Sequence, residues 1–436
     1  MDAPLAAGWS CAVCGAHVDI AEALRWTCPN ATETDRHHAL QLVQGIAPLR
    51  GTDDPNPFVA FRSYLAWDSF AAVHGMTESA RTALVRQVDA GVAAIAGTGF
   101  HVTPFGRADA LSDALGFGMD GGVWIKDETG QVAGSHKARH LVTILLHLLT
   151  AETLNLAPWG SEADRPSLAI ASCGNAAYAA ATLAAAARWP LRVFVPPNAD
   201  PVVLARLGEL RADIVHCPRR TNDPAGDPCI HRFREAVAAG AIPFTVQGTE
   251  NMWCLDGGRS IGWEMAHQFE DVVGPPLDRV FIQVGAGTFA ASTIAGFRMS
   301  GVMPRLHAVQ TDSCAPLQRA YANAQKLGGP QAASMHWGQC MWPWENVGSS
   351  AADGILDDET YDWIPVVRAM ADGNGSPVVV PEARVLEAND LARKTTGINA
   401  SHTGTAGLAG LLGMRKDIDS NERVGVIFSG VSRSAP

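Results

Sequence analysis

From about residue 120 onward, the hydrophobic pattern switches repeatedly between short apolar runs and longer segments of helical spacing. The short runs predict strands at GVWIKDE, SLAIAS, LRVFVP, DIVHC, IPFTV, RVFIQV, LHAVQ and VGVIF. The longer segments predict helices at ARHLVTILLHLLTAETL, AAYAAATLAAAARW, ADPVVLARLGELRA, HRFREAVAAG, GRSIGWEMAHQF and AASTIAGFRM. One helix start is well marked, since Asp200 can cap it and Pro201 fits its first position. This alternation predicts an α/β fold with parallel sheets and helices on both faces.

Two stretches depart from the pattern. Residues 1–50 carry Cys11-x2-Cys14 and then Cys28-Pro29, which is half of a zinc-ribbon pattern. A closed zinc site needs four ligands, and the candidates for the fourth are His17, His37 and His38. A degenerate ribbon without metal is the favoured interpretation, and a zinc site is the alternative. The stretch GGPQAASMHWGQCMWPWENVGSSAADG is irregular, and we expect its tryptophans to cover a cleft or a subunit contact.

Length and composition narrow the class of protein. The chain has 436 residues, which predicts two domains and an extension. Its net charge is −11 without a basic cluster, which argues against nucleic-acid and anionic-membrane partners. No secretory signal or membrane-spanning run is evident, and nine cysteines are scattered along the chain. We therefore expect reduced thiols and a cytoplasmic protein.

The first loop of chemical interest is GSHKARH. Here Lys137 precedes a predicted helix, where the positive end of the helix dipole disfavours another cation. The placement is understandable if the amine is neutral or bound as an imine, because Schiff-base chemistry needs a desolvated lysine with a lowered pKa. A plain helix start with a solvated basic turn is the alternative.

Two further loops follow predicted strands, where ligands bind in open α/β sheets. Ser172 to Asn175 stands before a helix whose free N–H groups can hold a carboxylate or phosphate, although Asn175 could simply cap that helix. The loop at Gly285, Ala286, Gly287 and Thr288 is small enough for close approach of a phosphate. It also fits the dinucleotide pattern G-x-G-x-x-A, with Asp312 at a plausible distance for a ribose. A late strand ends at Ser429.

Taken in order, SHK, SCGN, VGAGT and FSG resemble the motifs of fold-type II pyridoxal-phosphate enzymes, the superfamily of tryptophan synthase β, threonine synthase and serine-threonine dehydratase. The resemblance covers roughly residues 100–435 and includes TPFGRADALSDALG, GGRSIGWEM and GINASHTGTAGLAGLL. It implies two lobes with parallel and mixed sheets flanked by helices, and the cofactor in the interdomain cleft. The expected parts are an extension at 1–50, a large domain at 51–164 and 247–436, and a small mobile domain at 165–246. The resemblance also implies a homodimer.

The same resemblance implies residue roles. Lys137 is expected to form the Schiff base and to carry the Cα proton, and Asn175 to bind the 3′ oxygen of the cofactor. Ser429 is expected to face the ring nitrogen, and His136 to contact the phosphate, as its counterpart does in tryptophan synthase β. The phosphate loop is expected at Gly285, Ala286, Gly287 and Thr288. Substrate contacts are expected at Ser135, Ser172, Cys173, Gly174 and Asn175.

These roles predict β-elimination or β-replacement on a small L-amino acid. Threonine synthase chemistry on O-phosphohomoserine is the alternative, with Arg107, Arg139 and Arg259 as candidates to bind its phosphate. A non-catalytic binding protein with the same fold is the alternative of another class. Several residues have open roles: Cys173 as a small buried thiol, His402 as a loop, cap or substrate residue, and Glu250 and Asp256 as substrate contacts or solvated charges.

Overall fold

The computed structural model describes residues 5–45, 49–272 and 276–433, and within them three sheets form. The six-stranded sheet has the order β12-β11-β10-β13-β5-β4, the four-stranded sheet β8-β7-β6-β9, and the N-terminal sheet β2-β1-β3. The strands are β1 Ala6–Cys11, β2 His17–Asp19, β3 Leu40–Gln44, β4 Phe105–Arg107, β5 Gly122–Asp127, β6 Leu168–Ala171, β7 Leu191–Val195, β8 Asp213–His216, β9 Ile242–Pro243, β10 Arg279–Gln283, β11 Arg305–Thr311, β12 Ser376–Val380 and β13 Arg423–Phe428.

Helices cover both large sheets. They are α1 Pro57–Ala60, α2 Ala66–Val73, α3 Glu78–Ala96, α4 Asp109–Ala114, α5 Lys137–Thr153, α6 Asn175–Ala186, α7 Pro201–Glu209, α8 Pro228–Ala238, α9 Trp253–Val272, α10 Thr288–Met299, α11 Pro316–Lys326, α12 Pro330–Met335, α13 Trp363–Asp372, α14 Glu382–Thr396 and α15 His402–Met414. As predicted, Asp200 caps α7 by accepting a hydrogen bond from the N–H of Val202. The hydrophobic pattern did not predict α1 to α4, strand β12, or helices α11 to α14, of which α12 lies inside the tryptophan-rich stretch.

The six-stranded sheet is parallel except for its edge strand β4, which runs antiparallel to β5. Every residue of β10 is buried, as expected for a central strand with helices on both faces. The carboxyl ends of β5, β10 and β13 therefore lie together at one edge, where the loops carrying Lys137, Gly285 and Ser429 begin.

The four-stranded sheet is parallel throughout and lies within residues 168–243. The domain boundaries expected from the sequence remain predictions. The expected strand IPFTV was too long, because only Ile242–Pro243 pairs with β6. Beyond it the chain turns toward α10, where the carbonyl of Val246 accepts a hydrogen bond from the hydroxyl of Thr288 at 2.5 Å.

Three helices around the site pack with their backbones nearly in contact. A Cβ on Gly257 of α9 would collide with the carbonyl oxygen of Arg139 in α5. On the other side of α9, a Cβ on Gly262 would collide with the carbonyl oxygen of Thr293 in α10. Glycine is needed at these crossings because the space for a side chain is already filled by backbone. Helix α9 therefore holds α5, which carries Lys137, at a fixed position relative to α10.

A group of four charged side chains lies in the core beneath the site, and we call it the core ion network: Lys126, Glu128, Arg139 and Glu264. All four are fully buried. Arg139 donates to Glu128 through Nε at 2.8 Å and pairs with Glu264 through Nη1 at 2.5 Å. Lys126 reaches Glu264 at 2.5 Å. The network links β5, α5 and α9.

The N-terminal sheet is antiparallel and packs against the large lobe through Trp9, whose ring meets Trp253 edge-on at 5.7 Å. None of the helices that the structure describes combines the length and apolar character needed to cross a membrane.

Candidate active site

A cleft of about 2280 Å³ separates the four-stranded sheet from the six-stranded sheet. Its walls include the loops that follow β6, β10 and β13, together with the start of α5. Ligands in open α/β folds bind where strands end in this way. The cleft thus gathers Lys137, Asn175, the Gly285–Thr288 loop and Ser429, which the sequence placed in four separate motifs.

Lys137 is the first residue of α5 and is half-buried in the cleft wall. Burial lowers the pKa of its amine, and the carboxylate of Asp357 partly opposes that effect. The hydroxyl of Ser135 lies 3.4 Å from the N–H of Lys137, so Ser135 supports the start of the helix. The amine therefore has the lowered proton affinity that imine formation and proton abstraction require.

His136 lies directly behind the lysine and is held on two sides. Its Nδ1 shares a short hydrogen bond with the hydroxyl of Ser429, and its ring stacks on Phe289 at 3.9 Å. Burial, followed by the charge of Lys137, lowers the pKa of His136 well below its usual value, so the ring is neutral. Its Nε2 is buried and has no hydrogen-bond partner, which leaves a polar atom free for a bound group.

The loop from Gly285 to Thr288 has the shape of an anion cradle. Gly287 has φ of 93°, a left-handed conformation that favours glycine, and α10 begins immediately after it. A Cβ on Gly285 would collide with the carboxylate of Asp357, so the backbone of the loop lies directly against that side chain. The N–H groups at the start of α10 supply positive potential for a phosphate. These residues, with Lys137 and the free nitrogen of His136, fit pyridoxal phosphate.

Asn175 begins α6 across the cleft, and its side-chain oxygen accepts a hydrogen bond from Arg433. The preceding loop is open to the cleft, with Ser172 partly exposed and Cys173 and Gly174 exposed, so the expectation of a buried thiol at Cys173 was wrong. The hydroxyl of Ser172 accepts a bond from the N–H of Gly174 at 3.3 Å. Arg433 was not foreseen, since it lies 258 residues from Asn175 and belongs to no motif.

Three acidic residues on the cleft wall were also missed, and we call them the cleft carboxylates: Asp227, Asp357 and Asp358. Burial raises the pKa of Asp357 to about 6, with Asp227 adding to the shift and Lys137 opposing it. Burial and neighbouring carboxylates raise the pKa of Asp358 to about 7. Perturbed carboxyl groups beside a perturbed lysine are typical of a functional site. The only sequence feature that marked Asp357 and Asp358 was the acidic run DDE, which lies in a segment without hydrophobic periodicity.

The arginines expected to bind a substrate phosphate lie elsewhere, so that expectation was wrong. Arg139 belongs to the core ion network. Arg259 is buried and pairs with Asp256. Arg107, on the edge strand β4, pairs with Asp109 at the start of α4. Hydrophobic periodicity does not reveal which carboxylate an arginine meets, and this is why the three were misassigned.

The structure also shows where the other residues with open roles lie. Glu250 pairs with Arg234 of α8, and Asp256 accepts hydrogen bonds from the first two N–H groups of α2, so both charges are structural. His402 begins α15 and lines the cleft. Trp342 and Trp344 line the cleft as well, in agreement with the first of the two expectations for the tryptophan-rich stretch.

The N-terminal cysteines lie outside the cleft. Cys11, Cys14 and Cys28 gather with His38 at the end of β1. Of the other two candidate ligands, His37 instead pairs with Glu359, and His17 is exposed on β2. The nine cysteines are all free thiols.

Comparison with known proteins agrees with this geometry. The family model described as pyridoxal-phosphate dependent enzyme matches residues 97–430. No curated protein sequence matches the chain. Among solved structures, diaminopropionate ammonia lyase from Escherichia coli is similar at a TM-score of 0.62 and 15% identity, covering 82% of this chain and 90% of that one. The processed threonine deaminase isoform 2 from Solanum lycopersicum is similar at a TM-score of 0.59 and 18% identity, covering 82% and 91%.

The family match spans all four motifs of the cleft, and the similar structures share the fold of the two large sheets. The dinucleotide alternative with Asp312 is thereby set aside, because it accounts for neither Lys137 nor Ser429. The chain belongs to the pyridoxal-phosphate dependent enzyme family, with the α/β fold of its type II members.

Proposed function

We propose that this protein catalyses β-elimination from a small L-amino acid, releasing an α-keto acid and ammonia. The observation that carries the proposal is that one cleft holds a half-buried Lys137, with its lowered pKa, and Asp357, whose charge acts on that lysine. When bound, pyridoxal phosphate supplies an electron sink for the charge that develops at Cα. The names of the similar ammonia lyase and threonine deaminase are consistent with elimination.

Proton transfer, phosphate binding and orientation of the ring fall to different residues of the chain. The amine of Lys137 accepts the Cα proton, for which its low proton affinity suits it. The Gly285–Thr288 loop would hold the phosphate, and the side-chain amide N–H of Asn175 would orient the ring by donating to the 3′ oxygen of the cofactor. Ser429 would face the ring nitrogen, and a neutral hydroxyl there does not enforce the positive charge that a carboxylate would. That moderate electron demand favours prompt loss of a β substituent over longer-lived carbanion chemistry.

The charge of the cleft supports a neutral or cationic leaving group. Desolvation in the cleft wall raises the pKa of the Cys173 thiol, and the carboxylates of Asp353 and Asp227 add to this shift. An ammonium substituent placed beside Cys173 would therefore be attracted, a neutral hydroxyl would not be disfavoured, and a phosphate would be repelled. Serine, threonine and 2,3-diaminopropionate fit this environment better than O-phosphohomoserine. The proposal accordingly ranks threonine synthase chemistry below elimination.

The test is a titration of the purified enzyme, reconstituted with pyridoxal phosphate, with these four amino acids and O-acetylserine. We expect serine, threonine or diaminopropionate to change the visible absorption of the bound cofactor and to release keto acid, detected with a coupled dehydrogenase. Phosphate release from O-phosphohomoserine with threonine as product would contradict elimination. Product formed only with an added nucleophile would indicate β-replacement. Cofactor binding without spectral change for any amino acid would indicate a non-catalytic relative.

A further inference from the structure

A second cluster of reactive side chains lies at the end of β1, far from the motifs of the cleft. We call it the thiol–imidazole cluster, and its members are Cys11, Cys14, Cys28 and His38. Their ligand atoms all lie within 4.8 Å of one another. The Sγ atoms of Cys14 and Cys28 are 3.6 Å apart, and Sγ of Cys11 is 3.3 Å from Nδ1 of His38.

These separations match the edges of a tetrahedral zinc site. Zinc–sulfur bonds of about 2.3 Å and zinc–nitrogen bonds of about 2.0 Å place neighbouring ligand atoms roughly 3.5 to 3.8 Å apart. The set of three thiols and one imidazole is a combination that zinc prefers. Each ligand comes from the same small unit, since Cys11 ends β1, Cys14 follows in the next turn, and Cys28 and His38 lie on the loop before β3.

The surroundings also favour a bound cation. The sulfur of Cys11 accepts a hydrogen bond from the N–H of Val13 at 3.4 Å, and that of Cys14 accepts one from Asn30 at 3.3 Å. Such donors stabilise thiolates, the form in which cysteine binds metal. Three of the four members are buried, so water would have little access to a metal held among them.

His38 has the outer contact that a metal-bound histidine commonly shows. Its Nδ1 faces the thiol of Cys11, and its Nε2 lies 3.2 Å from the carboxylate of Asp35. Asp35 is itself held by the indole N–H of Trp337 at 2.5 Å. A carboxylate beyond the imidazole fixes the ring and increases its basicity toward a metal.

We propose that the thiol–imidazole cluster binds one structural Zn²⁺ ion. The four protein ligands close the coordination sphere, so no position remains for a substrate or a catalytic water. His38 supplies the ligand that the cysteine pattern lacked. This proposal departs from the favoured sequence interpretation of a metal-free ribbon.

The site connects to the cleft through the two residues that precede His38. Arg36 and His37 pair with the two carboxylate oxygens of Glu359 at 2.6 and 2.7 Å. Glu359 follows the cleft carboxylates Asp357 and Asp358 directly in the chain. The metal would therefore hold one end of the segment that forms the acidic wall of the cleft.

The test is the metal content of the tag-free protein after dialysis against a mild chelator, measured by inductively coupled plasma mass spectrometry. We expect about one zinc per chain, with four protein ligands retaining the ion. Cys14→Ser should lose most of it, and because Cys14 is exposed the substitution itself leaves no cavity in the core. Cys173→Ser removes another exposed thiol and should keep the zinc. Full zinc retention in Cys14→Ser would overturn the proposal.

A second measurement tests the geometry. After metal depletion, Co²⁺ should produce tetrahedral visible bands and thiolate charge-transfer absorption in the wild type, recorded as a difference from Cys14→Ser. An as-purified protein without zinc, whose intact mass shows a disulfide, would instead identify Cys14 and Cys28 as a redox pair and would overturn the proposal. Neither measurement depends on amino-acid turnover, so failure here is distinguishable from failure of the proposed elimination.

Discussion

The core ion network and the cleft carboxylates contain similar charged groups in two neighbouring regions, but the pKa values of these groups shift for different reasons. In the core, each charge meets opposite charges, and Arg139 has its pKa raised by Glu128 and Glu264 despite its burial. In the cleft, burial outweighs the attraction of Lys137 and raises the pKa of Asp357 to about 6. The contrast teaches that pairing distinguishes structural charges from functional ones here, whereas burial alone does not.

The sharpest test of that contrast is Lys137→Ala. We expect turnover to fall by roughly 10³ or more, because the residue that would transfer the Cα proton is lost. The thermal midpoint of the cofactor-free protein should change little, since the Lys137 side chain is half-buried in the cleft wall and not packed in the core. Lys394→Ala, at an exposed position of α14, serves as the control for both measurements. An equally active Lys137→Ala enzyme would contradict the proposed role.

The core should respond in the opposite way to Glu264→Ala. Removing this carboxylate leaves Lys126 and Arg139 buried with fewer partners, which costs about 3–5 kcal/mol of the free energy of unfolding. Urea denaturation measures this loss in the free energy of unfolding. The matched control is Glu387→Ala, which breaks an exposed pair with Arg384 and should cost less than about 1 kcal/mol. A similar cost for both substitutions would remove the distinction between paired core charges and surface pairs.

Asp357→Asn should change KM for one substrate more than for another, without unfolding the protein. We expect KM for 2,3-diaminopropionate to rise about five- to tenfold, because a partly exposed attraction to its ammonium group is lost. KM for serine should change less, since a hydroxyl can still bond to the amide. Initial rates of keto-acid release with both substrates provide the comparison. Equal changes would mean that Asp357 acts on the amino acid as a whole and not on its leaving group.

The smallest expected effect is a pH dependence of stability. Burial raises the pKa of Asp358 to about 7, so the folded state binds a proton that the unfolded state releases near pH 4. The folded form is therefore favoured at low pH, and this contribution is lost as the pH rises through about 7. Asp358→Asn should raise the thermal midpoint at pH 8 relative to wild type, with the difference shrinking toward pH 4. Asp390→Asn, an exposed change on α14, should show no such trend.

Much of the fold was predictable because its signals are local. The strands β5 to β11 and β13, with the loops after them, follow from apolar runs bounded by small residues, and the order of four motifs indicated the family; β12 was not predicted. The acidic wall was not predictable, since Asp357 meets the glycine loop from about 70 residues further along the chain. Arg139 was misassigned for a related reason, because its partner Glu264 lies 125 residues away. Residues 51–119 gave no clear period, and α1 to α4 were missed there.

The glycines at the helix crossings have a consequence for how this sequence can vary over evolutionary time. Any side chain at Gly257 or Gly262 would push α9 away from the helices that it joins, and the lysine would shift relative to the phosphate loop. Selection for catalysis would therefore act on positions that touch no ligand. A saturation library screened for turnover should find these two sites as intolerant as Lys137 itself. Homologues that change substrate should keep them, and a search for distant relatives could use this pair as a marker.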